Sequence, residues 1–113
     1  MICRNKTKNT VIAREIIAAD NFKSRLAGLL GKSGLGEEEG LLITPCAQVH
    51  TFFMRFPIDA LFLDRGFRVL RAVENMKPWK VSPWVMGAHF VLELKAGKLS
   101  GAVEKGDIVE FCR

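Results

Sequence analysis

The sequence predicts a mainly β domain, α+β at most: a small antiparallel β-sandwich or half-open barrel with one short helix at about residues 21–31. Three observations carry this. From residue 40 onwards, runs rich in Val, Ile, Leu and Phe recur between Gly, Pro and Asp turn signals. Helical spacing shows in one place, where Phe22, Leu26, Leu29 and Leu30 form a single stripe. With 49% hydrophobic residues, 113 residues can bury a core without disulfide or metal.

Taken in order, Thr10 to Ala19 is rich in Val and Ile and is expected to be a strand. Asp20 or Asn21 caps the helix, Gly31 ends it, and "GKSGLGEEEG" follows as a loop. That loop lacks the GxxxxGK[ST] spacing and follows a helix, so it is not read as a phosphate loop. The expected strands are "GLLIT", "VHTFFM", "DALFL", "FRVLRAV", "HFVLEL" and "DIVEF". Asp64-Arg65-Gly66 reads as a hairpin turn in which Gly66 supplies positive φ. Pro57 interrupts pairing between the second and third runs, because it fixes φ and removes a donor. "MKPWKVSPWVMG" reads as a long loop folded back on the core, and Gly97, Gly101 and Gly106 as turns leading into the last strand.

No repeat or linker divides the chain, so residues 1–113 are expected to form one domain. Cys3, Cys46 and Cys112 are odd in number and lack a CxxC pair, which favours reduced thiols over a disulfide framework or structural zinc. No apolar run has signal-peptide or membrane-spanning length, and a soluble, cytoplasmic chain is expected. The net charge of +5 is spread among apolar residues, which suits solvated faces and disfavours nucleic acid as a partner. No cofactor is expected.

The chemically dense stretch is "PCAQVHTFFMRFPID". Cys46, His50 and Met54 recur every four residues, which on a helix would stack soft ligands for copper(I). Thr, Val and three Phe favour a strand instead, with Met54 as core filler and Cys46 as a small buried hydrophobe. A thiol nucleophile, Cys46 with His50 as base and Asp59 as orienter, is a second alternative. Arg55, Asp59 and Glu93 are charges in apolar runs and are costly unless paired. They form either a structural ion network or, with His50, Met54 and Arg25, the lining of a polar pocket. The leading expectation is a non-catalytic module that binds a small molecule or a protein partner at that pocket. The enzymatic alternatives use Cys46 and His50, or Asp59 and Glu93 as acid and base. A nucleic-acid surface around Trp79 and Trp84 is a third.

"SRLAGLLGKSGLGEEEGLLITPCAQVHTFFMRFPIDALFLDRGFRVL", followed by "VLELKAG" and "KGDIV", resembles the uncharacterised prokaryotic family known as domain of unknown function 192. The resemblance runs from about Val11 to the C-terminus. It implies a β-rich barrel or sandwich with a short helix near the N-terminus, and it brings no established activity. The positions it emphasises are Met54, Arg55 and Asp59, then Glu93 and Gly97. Many members carry a secretory leader or lipid anchor, from which this sequence departs, and Cys46 with His50 suits only part of the family.

Overall fold

A computed structural model describes residues 1–19 and 34–113. The expected helix at 21–31, and Arg25 with it, lie outside the described residues. Among the described residues there are eight strands and no helix: β1 (Ile2–Asn5), β2 (Thr10–Ala13), β3 (Glu15–Ala19), β4 (Glu39–Ile43), β5 (Ile58–Leu63), β6 (Val69–Met76), β7 (Phe90–Lys95) and β8 (Val109–Cys112).

They form a three-stranded sheet, order β2-β1-β8, and a five-stranded sheet, order β3-β4-β7-β5-β6. All described pairings are antiparallel except β3 with β4. The sheets join at two corners without closing into a barrel. At one, Val69 N–H donates to Asp107 O at 2.7 Å and Gly106 N–H to Val69 O at 2.8 Å. Gly106 sits at φ 94°, a conformation that glycine adopts without steric cost. At the other, Ile16 N–H donates to Met1 O at 2.8 Å.

The five-stranded sheet is covered on both faces. On one, Leu42, Leu61, Leu63, Leu92 and Leu94 pack against Cys3, Ile12, Ala13 and Val109 of the small sheet. On the other, Leu41, Ile43, Ile58, Ala60, Phe62 and Val91 are roofed by Val49, Met54, Phe56 and Val85 from two long connections. Every residue of β5 is buried, which explains why its sequence is apolar at every position but Asp59. Each fully buried Leu or Phe contributes about 1.5–3 kcal/mol.

The structure corrects the sequence reading in several places. β1 was not expected, and the Thr10–Ala19 strand is two strands parted at Arg14. "VHTFFM" is not a strand; only His50 bridges, to Val81. In the Asp64 turn, Phe67 holds the positive φ at 63° and Gly66 does not. Asp64 Oδ1 makes that turn by accepting Gly66 N–H and Arg68 N–H, each at 2.9 Å.

Candidate functional site

The second roof is a ribbon made from residues 45–57 and 77–89. Its two arms run antiparallel: Thr51 N–H donates to Lys80 O, Ser82 N–H to Val49 O and Val85 N–H to Ala47 O, each at 2.9 Å. Val49, Thr51, Ser82 and Val85 are buried. The opposite side carries Val81, 53% exposed, and the half-buried His50.

Thr51, fully buried, ties the arms together. Its hydroxyl donates to Lys77 O at 2.6 Å and accepts Lys80 N–H at 2.9 Å. Its carbonyl accepts Trp79 N–H at 3.0 Å and Met54 N–H at 3.2 Å. These bonds hold Phe53 at φ 66° and Trp79 at φ 66°, a left-handed backbone that costs a bulky residue about 1–2 kcal/mol. Both side chains point to solvent, 65% and 59% exposed, and their rings meet edge to face with centroids 4.8 Å apart. Phe52 lies 6.0 Å from Trp79 and stacks on His50 at 4.8 Å. Further along the same arm, Trp84 and Met86 are 66% and 84% exposed.

The ribbon's charge has one sign. From Thr44 to Ile58, and from Asn75 to Leu92, the chain has no Asp or Glu. Arg55, Lys77 and Lys80 are exposed and make no ion pair among the described residues.

Two of the charges expected to share a pocket, Asp59 and Glu93, lie on neighbouring strands of one sheet. Asp59 faces Leu94 across the β5–β7 ladder, whereas Glu93 faces Ala60 and Leu41. Successive strand residues point to opposite sides, so the two carboxylates lie on opposite faces of the five-stranded sheet. Asp59, fully buried, is saturated by backbone: it accepts Asn75 N–H at 2.8 Å, Leu99 N–H at 2.9 Å and Gly97 N–H at 3.1 Å. It thereby fixes the β6 bulge, where Asn75 sits at φ 50°, and the turn after β7, where Gly97 sits at φ 93°. This register does not bring the Asp59 and Glu93 side chains to a common side of the sheet, as an acid–base pair would require.

The three soft-ligand candidates sit in different local settings. The Met54 side chain is buried in the core beneath the ribbon. Cys46 packs at the edge of that core and donates its thiol hydrogen to Gln48 O at 3.2 Å. His50 Nδ1 accepts Phe52 N–H at 3.2 Å, which occupies one ring nitrogen with the ribbon's own backbone. The backbone here is a loop, so the helical spacing behind the copper reading does not apply. No group of three His, Cys, Asp or Glu among the described residues is placed to hold a metal ion.

Two clefts among the described residues lie elsewhere. One, about 360 Å³, is lined by Val11, Ile12, Glu37, Gly97 and Lys98, among others. The other, about 330 Å³, is lined by Leu35, Phe56, Pro57 and Lys95, among others. Neither is lined by His50, Arg55, Asp59 or Glu93. From the sequence, Trp79 and Trp84 stood out only as a nucleic-acid surface, and Thr51 and Phe53 were not singled out; the available signal was the absence of carboxylates from both arms.

Fold and site together define a mainly β, two-sheet protein that displays an aromatic, cationic ribbon. The chain belongs to the DUF192 family of uncharacterised proteins, whose model matches residues 2–111. It is 34% identical over 113 residues to the UPF0127 protein PH1112 of Pyrococcus horikoshii, covering 95% of this chain and 96% of that protein. It is 31% identical over 115 residues to the UPF0127 protein PF1050 of Pyrococcus furiosus, covering 96% and 97%. A crystal structure of a protein of unknown function from Novosphingobium aromaticivorans has the same fold, with TM-score 0.81 at 24% identity over 97% of this chain and 82% of that one. Among the described residues, no helix is long and apolar enough to cross a membrane.

Proposed function

We propose that this protein is a non-catalytic binding module that engages its partner through the outward side of the ribbon. The observation that carries this reading is the pair Phe53 and Trp79. Two bulky aromatics sit in a costly backbone conformation, in contact with each other and open to solvent, while a buried threonine spends its hydrogen bonds holding them there. Strain of this kind persists where the surroundings over-determine it, and it concentrates at binding surfaces. Of the residues expected at the site, Arg55 and His50 belong to this surface, Met54 packs in the core beneath it, and Asp59 lies on the other face of the five-stranded sheet. Glu93 lies on the sheet face that the ribbon covers.

A photo-crosslinking amino acid placed at position 53 of the full chain in cells tests the reading, with the same group at the exposed Ile17 as control. Position 53 is expected to yield a discrete adduct that Ile17 does not, and Trp79→Ser is expected to remove it. Identical products at both positions would contradict the proposal.

A further inference from the structure

We infer that the surface the ribbon engages is an anionic membrane interface, on which the protein sits peripherally without crossing it. The inference rests on the binding reading above and names its partner class. Phe53, Trp79, Trp84 and Met86 are all more than half exposed. They therefore stand proud of the ribbon, a form that suits insertion into a soft medium better than reception of a ligand. Trp and Phe bury favourably at the boundary between headgroups and acyl chains.

Charge selects the sign of that medium. Arg55, Lys77 and Lys80 flank the aromatics, no carboxylate occurs on either arm, and none of the three cations is engaged by a described acid. Basic side chains beside an apolar tip are the pattern that anionic headgroups attract. Two other occupants fit less well. Single-stranded nucleic acid stacks on parallel shelves, whereas Trp79 is tilted 33° to Phe52 and 60° to Phe53. A peptide that docks in a groove would meet recessed side chains, whereas Phe53, Trp79, Trp84 and Met86 are each more than half exposed.

Co-sedimentation of the full chain with phosphatidylcholine vesicles, with and without phosphatidylglycerol, tests the inference, together with tryptophan emission. Binding is expected to the anionic vesicles only, with a blue shift as Trp79 and Trp84 leave water. Added salt should weaken it. Lys77→Glu with Lys80→Glu should lower partitioning at least about 20-fold, from about 5-fold per cation lost. Phe53→Ser with Trp79→Ser should abolish the blue shift of position 79 and most of the binding. Absence of binding, equal binding to neutral vesicles, or indifference to the Phe53→Ser and Trp79→Ser pair would overturn the inference. If a protein or nucleic-acid adduct forms at position 53 while vesicles do not bind, the membrane assignment falls and the binding reading stands. If neither adduct nor vesicle binding appears, both fall.

Discussion

Thr51 and Trp79 are joined through the backbone, Trp79 N–H donating to Thr51 O at 3.0 Å, and this bond sets an exposed indole at the mouth of a buried hydroxyl network. The relationship links core to surface: the atom that fixes the ring belongs to a residue that solvent does not reach.

Thr51→Val keeps shape and removes the hydroxyl, which leaves Lys77 O and Lys80 N–H without their partner. The expected cost is about 2–3 kcal/mol in denaturant unfolding, because stranding polar groups costs more than the bonds contribute. Thr51→Ser should retain most of that stability, and loss of Thr51 should also change the near-ultraviolet signal of Trp79.

Asp59→Ala should destabilise by about 3–5 kcal/mol, since three buried amides lose a charged acceptor at once. Denaturant unfolding measures it. Local hydrogen exchange should rise at Asn75, Gly97 and Leu99, the three donors, and not at Glu93 on the far face.

Asp107 should govern part of the acid limb of stability. The side-chain hydrogen bond from Asn5, the amide of Glu104 and the Lys8 ammonium hold its carboxyl below the ordinary carboxylate range. The unfolded chain therefore takes up this proton first as pH falls. The contribution is present above the unfolded value of about 3.9 and is lost as pH drops through the lower folded value. In stability–pH curves, Asp107→Asn should be less stable than the parent at neutral pH, with the difference shrinking below about pH 4.

Cys3 should govern the alkaline limb. Burial, aided by Cys112, pushes its thiol from 9.0 up to about 12. The folded chain keeps this proton after the unfolded chain has lost it, so the stability is whole below pH 9.0 and declines as pH rises from there towards about 12. Full loss amounts to about 4 kcal/mol at 1.36 kcal/mol per unit. Cys3→Ala should flatten that decline. At neutral pH a thiol reagent should label the exposed Cys112 in the native protein and Cys3 only after unfolding.

Much of the fold was legible in the sequence. β4 to β8 carry apolar runs bounded by turn residues, and Pro57 stands immediately before β5. The loop around Trp79 and Trp84 folds back onto the core, as its prolines suggested. The short "ICRN" of β1 was not legible, because a four-residue strand holding Arg4 and Asn5 has too little alternation to stand out. "VHTFFM" misled because a loop that roofs a sheet buries Val49 and Met54 as a strand would. The relative side of the two carboxylates was not legible for another reason. One sequence gives the side of Glu93 relative to Leu92 and Leu94, but the side of Asp59 relative to Glu93 depends on the β5–β7 register.

The most direct measurement pairs the stability of Phe53→Asn with Trp79→Asn against its adduct formation at Ile17 and Arg55 crosslinker sites. Asparagine tolerates the left-handed backbone, so the double variant should unfold within about 1 kcal/mol of the parent while the adduct at 55 disappears. A fall of more than about 2 kcal/mol with the adduct intact would show that the two rings hold the fold together and contradict their role as a binding surface.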